Sequence, residues 1–382
     1  MALVLSEDQQ MLQDAARNFC AQNCPVSVLR RLRDENDELG FDQDLWSQMV
    51  ELGWAGMALP EAYGGYEFGY AGLGIVLEQT GKTLVSSPLI SSVLLGASAI
   101  NLAGREEQKR DLLPKIIAGE LIVTLAVDES PFHRPEKIAL SATRNGTGYG
   151  LTGHKTMVLD GHVADRFIVV ARTAGEESDQ QGVSLFLVDP NSEGLTIQPT
   201  VMVDSRNCAN ISFDGVQVAT EHLLGEEHNG YEPLSRVLDI GRIGLAAEML
   251  GSITEVFERT VEYLKQREQF GVPVGAFQAL QHRAAIMYSE IELCKSVVRG
   301  ALAALDAPQS DGEAIARMAC LSKAKLSEVF ELVSNEGIQM HGGIGMTDEF
   351  DIGFYLKRAR VAQQFLGDAS YHRDRYATLH HF

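Results

Sequence analysis

Between Pro233 and Gln266 the chain reads PLSRVLDIGRIGLAAEMLGSITEVFERTVEYLKQ, with no interior proline and apolar residues returning at helical spacing. One very long helix is the simplest reading, and such a helix needs partners of comparable length to cover its apolar stripe. They follow directly. QALQHRAAIMYSEIELCKSVVRGALAAL (278–305) and Gly312–Gly337 carry the same period, and Thr347–Gln364 a shorter fourth. Long helices with short connections predict a four-helix bundle over residues 229–382.

Upstream the texture differs. From about Leu121 to Gly225, short β-branched or apolar runs (LIVTLAV, RFIVVAR, VSLFLV, LTIQPTVMV, NISFDGVQV) alternate with turns such as RNGTGYG, DPNSEG and FDGV. Strands so spaced predict an antiparallel β domain, residues 121–228. Residues 1–120 are predicted helical. Ser6 and Gln9 form a capping-box signature, with Met11, Leu12, Ala15 and Phe19 on one face. A turn-rich break, LPEAYGGYEFG (59–69), precedes further helical patterns in IVLEQTGKTL and REEQKRDLLPKIIAGE.

Formal charge is 32 minus 52, or −20. Nucleic acid and anionic membrane surfaces are therefore not expected partners, since both call for basic surface. An anionic small ligand would need locally placed Arg, Lys or helix N-termini. The longest apolar runs, such as Leu121–Val127 and Phe167–Ala171, are far too short to span a membrane. MALVLSEDQQ lacks the basic start and long apolar core of a secretory signal. Five cysteines with no CxxC pair read as reduced thiols of a cytoplasmic protein. Cys20 and Cys24 have no nearby His or second pair to complete a metal site, so no metal is expected.

Two late segments carry the chemistry. KQREQFGVPVGAFQALQH (265–282) puts Arg267 in the long helix's last turn, with Gly271 placed to end it and Pro273 beyond. A guanidinium there can reach an anion, and its planar fork suits a pyrophosphate. Complementing the helix dipole is the plainer role for Arg267 taken alone. IQMHGGIGMTDEFDIGFYLKRAR (338–360) contains glycines whose backbone, free of Cβ atoms, can approach a phosphate closely. Beside them His341 reads as a turn or surface histidine, and Phe270 and Phe277 have bundle core as their plainer reading.

With SEDQQMLQDAARNF, LGWAGMALPEAYGG, EQTGKTLVSSPLI, GREEQKRDLLPKIIAGE and LTGHK followed by ADRFIVVAR, these segments make the chain resemble the acyl-CoA dehydrogenases nearly end to end. The resemblance implies an all-α N-terminal domain, a small β-barrel middle domain and a C-terminal four-helix bundle, assembled as a dimer of dimers. It implies FAD held across a subunit interface by Arg267, Gln269, Phe270, Gln278, Gln339, Gly342 and Gly343. It also implies an acyl-CoA site lined by Asp239 and Arg242 of LDIGR, and an electron-transfer flavoprotein or similar acceptor.

Desaturation of a thioester needs a carboxylate to take the α proton, a contribution of typically ~10²–10⁴-fold or more. In most members of the resembled family that Glu directly precedes a Gly in the final helical region, here Leu366–Gly367. Otherwise it precedes an Arg early in the long helix, here Gly241–Arg242. Neither position is acidic. Asp239, Asp368 and Glu248 are the nearby carboxylates, Glu248 lying roughly 10 Å along the helix from Gly241. Solvated or ion-paired roles are expected for Glu248 and Asp368.

The β domain departs too. Where the family usually has Thr-Glu-Pro and then Gly-Ser-Asp touching flavin and substrate, this chain reads VDESPFHRPEKIALSA (127–142), keeping only Glu129. A Trp and a Thr that border the flavin ring become Met157 and Leu159. Three readings stay open. The first is α,β-desaturation of an acyl-CoA, with the base supplied by the partner in a heterotetramer, as in family members acting on steroid side-chain CoA esters; a homotetramer is the alternative assembly. The second is a flavin-dependent oxidase or monooxygenase on the same fold. The third is a non-catalytic structural or acyl-CoA-sensing subunit. The catalytic residue and the acyl group are left unassigned.

Overall fold

The structure is a computed structural model in which residues 4–308 and 311–382 are described; the first three residues of the MALVL start lie outside them. In the N-terminal half the helices are α1 (Glu7–Asn23), α2 (Val26–Asp34), α3 (Gln43–Glu51), α4 (Gly69–Lys82), α5 (Ser98–Ala103) and α6 (Glu106–Ile117). After the β region come α7 (Tyr231–Gln266), α8 (Gln278–Asp306), α9 (Gly312–His341), α10 (Ile352–Gln364) and α11 (Ala369–Leu379). Two compact units make up the chain. One holds the chain up to Arg31, Tyr70–Val85 and Arg242–Phe382; the other holds Leu32–Gly69 and Ser86–Gly241.

In the first unit, α1 opens on the predicted capping box. Ser6 Oγ accepts from the Gln9 N–H, and the Gln9 side chain accepts from the Ser6 N–H. Glycines set how closely α4 and α7 approach. A Cβ on Gly81 would lie 2.0 Å from the Glu248 carbonyl oxygen, and one on Gly251 1.8 Å from that of Glu78. Ser252 Oγ donates to the Gly81 carbonyl at 2.8 Å across the same contact. The two long helices α7 and α8 fall where the sequence predicts them, and α9 runs on to His341. The fourth pattern starts later than Thr347 because Thr347 Oγ1 bonds back to the Ile344 carbonyl, keeping that residue in a turn. A fifth helix, α11, was missed. It is short and polar, with His372 as its buried residue, so it has almost no apolar stripe to read.

The second unit is built on strands β1 (Val123–Ala126), β2 (Ser141–Asn145), β3 (Gly148–Leu159), β4 (Arg166–Arg172), β5 (Val183–Val188), β6 (Leu195–Val201), β7 (Asn207–Ala219) and β8 (Leu223–Leu224). The sheet order is β6-β7-β3-β2-β4-β5-β8, with β1 pairing β4. Leu151, Phe167, Val169, Phe186, Ile211, Phe213 and Leu223 share one buried cluster with residues of β1 and β2. Strands spread along such a sheet can meet in one cluster only if the sheet curls around it. The predicted antiparallel pattern needs two corrections: β1 runs parallel to β4, reaching it across the intervening β2–β3 hairpin, and β2 meets β4 in parallel at Ser141 and Arg172.

Candidate active site

At the end of α7, Glu268–Gln269 pairs with Val272–Pro273 in a two-residue hairpin. Its turn residues, Phe270 and Gly271, have φ of 56° and 80°. Positive φ at both central positions is what so tight a hairpin demands. Gly271 therefore serves the hairpin rather than ending the helix, which stops earlier at Gln266 and leaves Arg267 just past its last turn. The core reading of the two phenylalanines is also overturned. Phe270 is 90% exposed and meets the half-exposed Phe277 edge-on at 6.2 Å. Gln278 opens α8 beside them.

The side chains of Arg267, Gln269, Gln278 and Gln339 are exposed. None of the four makes a side-chain hydrogen bond or ion pair among the described residues. At the end of α9, Gly342 turns the chain with φ 64°. A Cβ on Gly342 or Gly343 would meet nothing within 4 Å, so the turn's outer face is open. His341, expected at the surface, is instead buried. Its Nδ1–H donates to the Gly337 carbonyl at 2.7 Å, and burial pushes its proton affinity down. The ring stacks on Tyr263 at 4.5 Å and lies 5.1 Å from Phe350. Tyr263 stands one turn before Arg267, so this stack brings the ends of α7 and α9 together. Sequence reading missed Tyr263; its only signal was the four-residue spacing to Arg267.

The turn between α10 and α11 is built quite differently. Leu366 is buried in left-handed backbone with φ 60°, and Gly367 follows with φ 100°. A Cβ on Gly367 would lie 2.5 Å from the Tyr371 ring. Arg242 Nε donates to the Leu366 carbonyl at 3.2 Å, and the His372 Nε2 lies 2.9 Å from the same oxygen. Lys323 Nζ donates to the carbonyls of Gly367 at 2.8 Å and Gln363 at 3.0 Å. Burial, with Arg242 and Arg358 nearby, pushes the Lys323 amine down to about 7, against the pull of Asp368.

The carboxylates have structural work. Glu248 is paired with Arg358 at 2.6 Å, both side chains buried, as expected of an ion-paired acid. Asp368 caps α11, accepting from the Tyr371 N–H at 2.8 Å. Arg242 is 1% exposed and also reaches the Tyr371 hydroxyl at 3.4 Å. It therefore holds the turn. Asp239, one turn earlier in α7, is buried as well.

In the second unit, three consecutive β3 residues pin the segment after β1. Lys155 Nζ donates to the Val127 carbonyl at 2.9 Å and to Glu129 at 2.7 Å. The Thr156 N–H donates to the Asp128 carbonyl at 2.7 Å, and His154 Nε2 lies 2.9 Å from that of Glu129. Glu129 also caps the N–H groups of Ala139 and Leu140. A register shift between Lys155 and Val158 puts Met157 in positive-φ backbone and turns its side chain outward, while Leu159 stays half-buried.

The donor set fits a flavin dinucleotide. An uncommitted guanidinium, three uncommitted carboxamides and an open diglycine turn match a pyrophosphate, and Phe270 offers a free aromatic face. Helical, β and helical regions follow one another in the order of the dehydrogenase fold that binds such a cofactor. The acyl-CoA dehydrogenase N-terminal, middle and C-terminal domains match residues 6–120, 134–216 and 228–378, and the chain belongs to the acyl-CoA dehydrogenase family.

Mitochondrial isovaleryl-CoA dehydrogenase of Pongo abelii is 29% identical over 97% of this chain and 88% of its own. The solved Tcur3481–Tcur3483 steroid ACAD is 32% identical, covering 98% of each chain, with TM-score 0.87. The ChsE4–ChsE5 complex from Mycobacterium tuberculosis is 25% identical over 99% of this chain and 98% of its own, with TM-score 0.88. The family uses FAD, and acyl-CoA substrates and electron-transfer flavoprotein partners are typical of it. Among the described residues no helix is long and apolar enough to cross a membrane, and the five cysteines are buried and form no disulfide.

Proposed function

We propose that this chain is one flavoprotein subunit of a heterotetrameric acyl-CoA dehydrogenase whose partner supplies the catalytic carboxylate. The observation that carries this reading is the Leu366–Gly367 turn. Its backbone is held by Arg242, Lys323 and His372, yet the side chain it presents is a leucine. Of the nearby carboxylates, Glu248 and Asp368 are committed to Arg358 and to the α11 cap, and Asp239 is buried in α7. That two similar solved structures carry paired gene products in their names supports the assembly.

In this reading Arg267, Gln269, Gln278 and Gln339 hold the dinucleotide by charge-assisted and amide hydrogen bonds. Phe270 covers it, and Gly342 and Gly343 let the backbone approach. FAD held there would supply the hydride acceptor for the β hydrogen. Asp239 and Arg242 act on the acyl-CoA site from beneath, Arg242 as a positioning residue through the Leu366 carbonyl. Electrons then pass to an electron-transfer flavoprotein or similar acceptor.

The test is to purify the chain alone and with a similar, Glu-bearing chain encoded beside it. Flavin content and acyl-CoA-dependent reduction of an acceptor are then measured. The lone chain is expected to be nearly inert, and the pair faster by ~10²-fold or more. Robust turnover by the lone chain, abolished by Asp368→Asn with folding intact, would identify a relocated base and sink the partner hypothesis.

A further inference from the structure

Two rings join the segments assigned to the flavin, and neither ring is itself one of the assigned donors. Tyr263 lies one turn before Arg267, and the Arg267 N–H donates to its carbonyl at 2.9 Å. The Arg267 carbonyl in turn accepts from the Val274 N–H at 2.7 Å, which closes the hairpin back onto the helix end. His341 is the last residue of α9 and stands directly before Gly342. A Cβ on Gly345 would lie 3.0 Å from the His341 Cβ, so the glycine turn folds back against this residue. The imidazole is 2% exposed, and its Nδ1–H is committed to the Gly337 carbonyl one turn earlier. It stacks on the Tyr263 ring with the planes 29° apart, and Phe350, from beyond the turn, meets Tyr263 edge-on at 6.0 Å.

We propose that Tyr263 and His341 are positioning residues whose stack holds the Arg267 hairpin and the diglycine turn at the spacing of one dinucleotide. This rests on the reading of the site above, in which both segments bind FAD. Two grips on one ligand reinforce each other only when their separation matches the span of the ligand. A hairpin free to swing against the turn must be ordered at the moment of binding, which weakens affinity. Here the ordering is done in advance. One ring is tied through a backbone hydrogen bond to Arg267, and the other is bonded directly to the first glycine of the turn.

If the rings act through Arg267, substitutions at the two places do not add. Residues that act independently change affinity additively, and a residue that served only the fold would leave the effect of Arg267→Ala unchanged.

The test is a double-mutant cycle on FAD affinity, measured by titrating flavin into the flavin-stripped assembly, with its partner chain where one is required. In the otherwise wild-type protein Arg267→Ala is expected to weaken FAD binding by about tenfold or more. In Tyr263→Leu and in His341→Leu that step should shrink by more than about twofold, the limit within which independent sites add. Tyr263→Phe keeps the ring and should keep the full step. Tyr263 is only half-buried, so its leucine variant serves if His341→Leu does not fold. A step unchanged within that limit in either folded leucine variant, or one that shrinks in Tyr263→Phe, overturns the proposal while the flavin site stands. FAD binding that Arg267→Ala leaves unchanged, or no binding with or without a partner, overturns the site reading and this proposal with it.

Discussion

The Arg267 hairpin and the Leu366 turn are both short connections between helices of one unit, and they are built in opposite ways. At the hairpin Arg267, Gln269 and Gln278 extend their polar heads into solvent without partners, and Phe270 is almost fully exposed. At the turn the carbonyls of Leu366 and Gly367 are engaged by buried donors, and the nearby acids are paired or capping. Unpaired polar groups at a surface cost little in water and can be spent on a ligand. Buried ones must be satisfied within the chain. The hairpin therefore reads as a place of binding and the turn as scaffold. This contrast predicts that mutations at the turn act on stability and those at the hairpin on cofactor retention.

The largest effect belongs to Arg358 beneath the turn. Arg358→Ala takes from the buried Glu248 carboxylate its ion-pair partner at 2.6 Å, and losing one partner of a buried pair costs about 3–5 kcal/mol. Urea denaturation should show this loss. Replacing both residues by apolar side chains of similar volume should restore most of it, since the pair's own desolvation penalty disappears too. A single variant with wild-type stability would break the contrast at its strongest point.

Next comes Lys323, whose amine is held down to about 7 from an ordinary 10.5, first by burial. Between those values the unfolded chain binds a proton that the folded chain does not, so Lys323's contribution makes stability rise with pH there. Below about 7 the burial penalty is felt in full. The stability of Lys323→Met relative to wild type should therefore be greatest near pH 6 and shrink towards pH 10. A pH-independent difference would mean that the lysine stays charged in its nest of carbonyls.

Leu366→Glu sharpens the same comparison. A substitution there would be cheap only if position 366 faced a cleft. The structure buries that leucine, so an acid there should cost about 2 kcal/mol or more in the free chain. Gly241→Glu should gain several tenths of a kcal/mol in helix propensity. Gly241 is buried too, and a net loss is expected. Thermal melts of both variants, with and without a partner chain, test whether assembly opens either position. A loss that disappears on assembly would place the residue at a cleft that the partner completes.

What the sequence made legible follows from periodicity. The long helices announce themselves because burial on one face repeats every turn over many turns. Strands β4 and β5 do so through nearly unbroken apolar runs, buried along almost their whole length. Strand β3, the backbone of the Asp128 strip, was hidden. Its GYGLTGHKTMVL mixes glycines and polar residues, and two register shifts break the alternation. At the site, motif spacing was enough to select Arg267, Gln269, Gln278 and the glycines. It could not show that their heads are unpaired, nor that His341 is buried against Tyr263. Those depend on where the ends of α7 and α9 meet, a contact between residues far apart in the chain. Asp128 and His133 stand five residues apart and meet at 2.9 Å, yet nothing in the sequence says that two loop residues face each other.

Arg267→Ala should have the smallest effect on the fold and a clear effect on function. Its guanidinium makes no hydrogen bond or ion pair among the described residues, and surface substitutions of that kind usually change stability by no more than ~0.5 kcal/mol. If it binds a phosphate, the lost charge-assisted bond is worth ~1.5–3 kcal/mol, roughly a 10–150-fold weaker hold on FAD. Arg267→Lys should recover only part of this, because an ammonium keeps the charge but not the paired donors. Flavin absorbance per chain after extended dialysis measures retention, and the melting temperature of the flavin-free protein measures the fold. Lost flavin with an unchanged apo melt is the expected pair of results. Unchanged flavin would return Arg267 to its plainer role at the end of a helix.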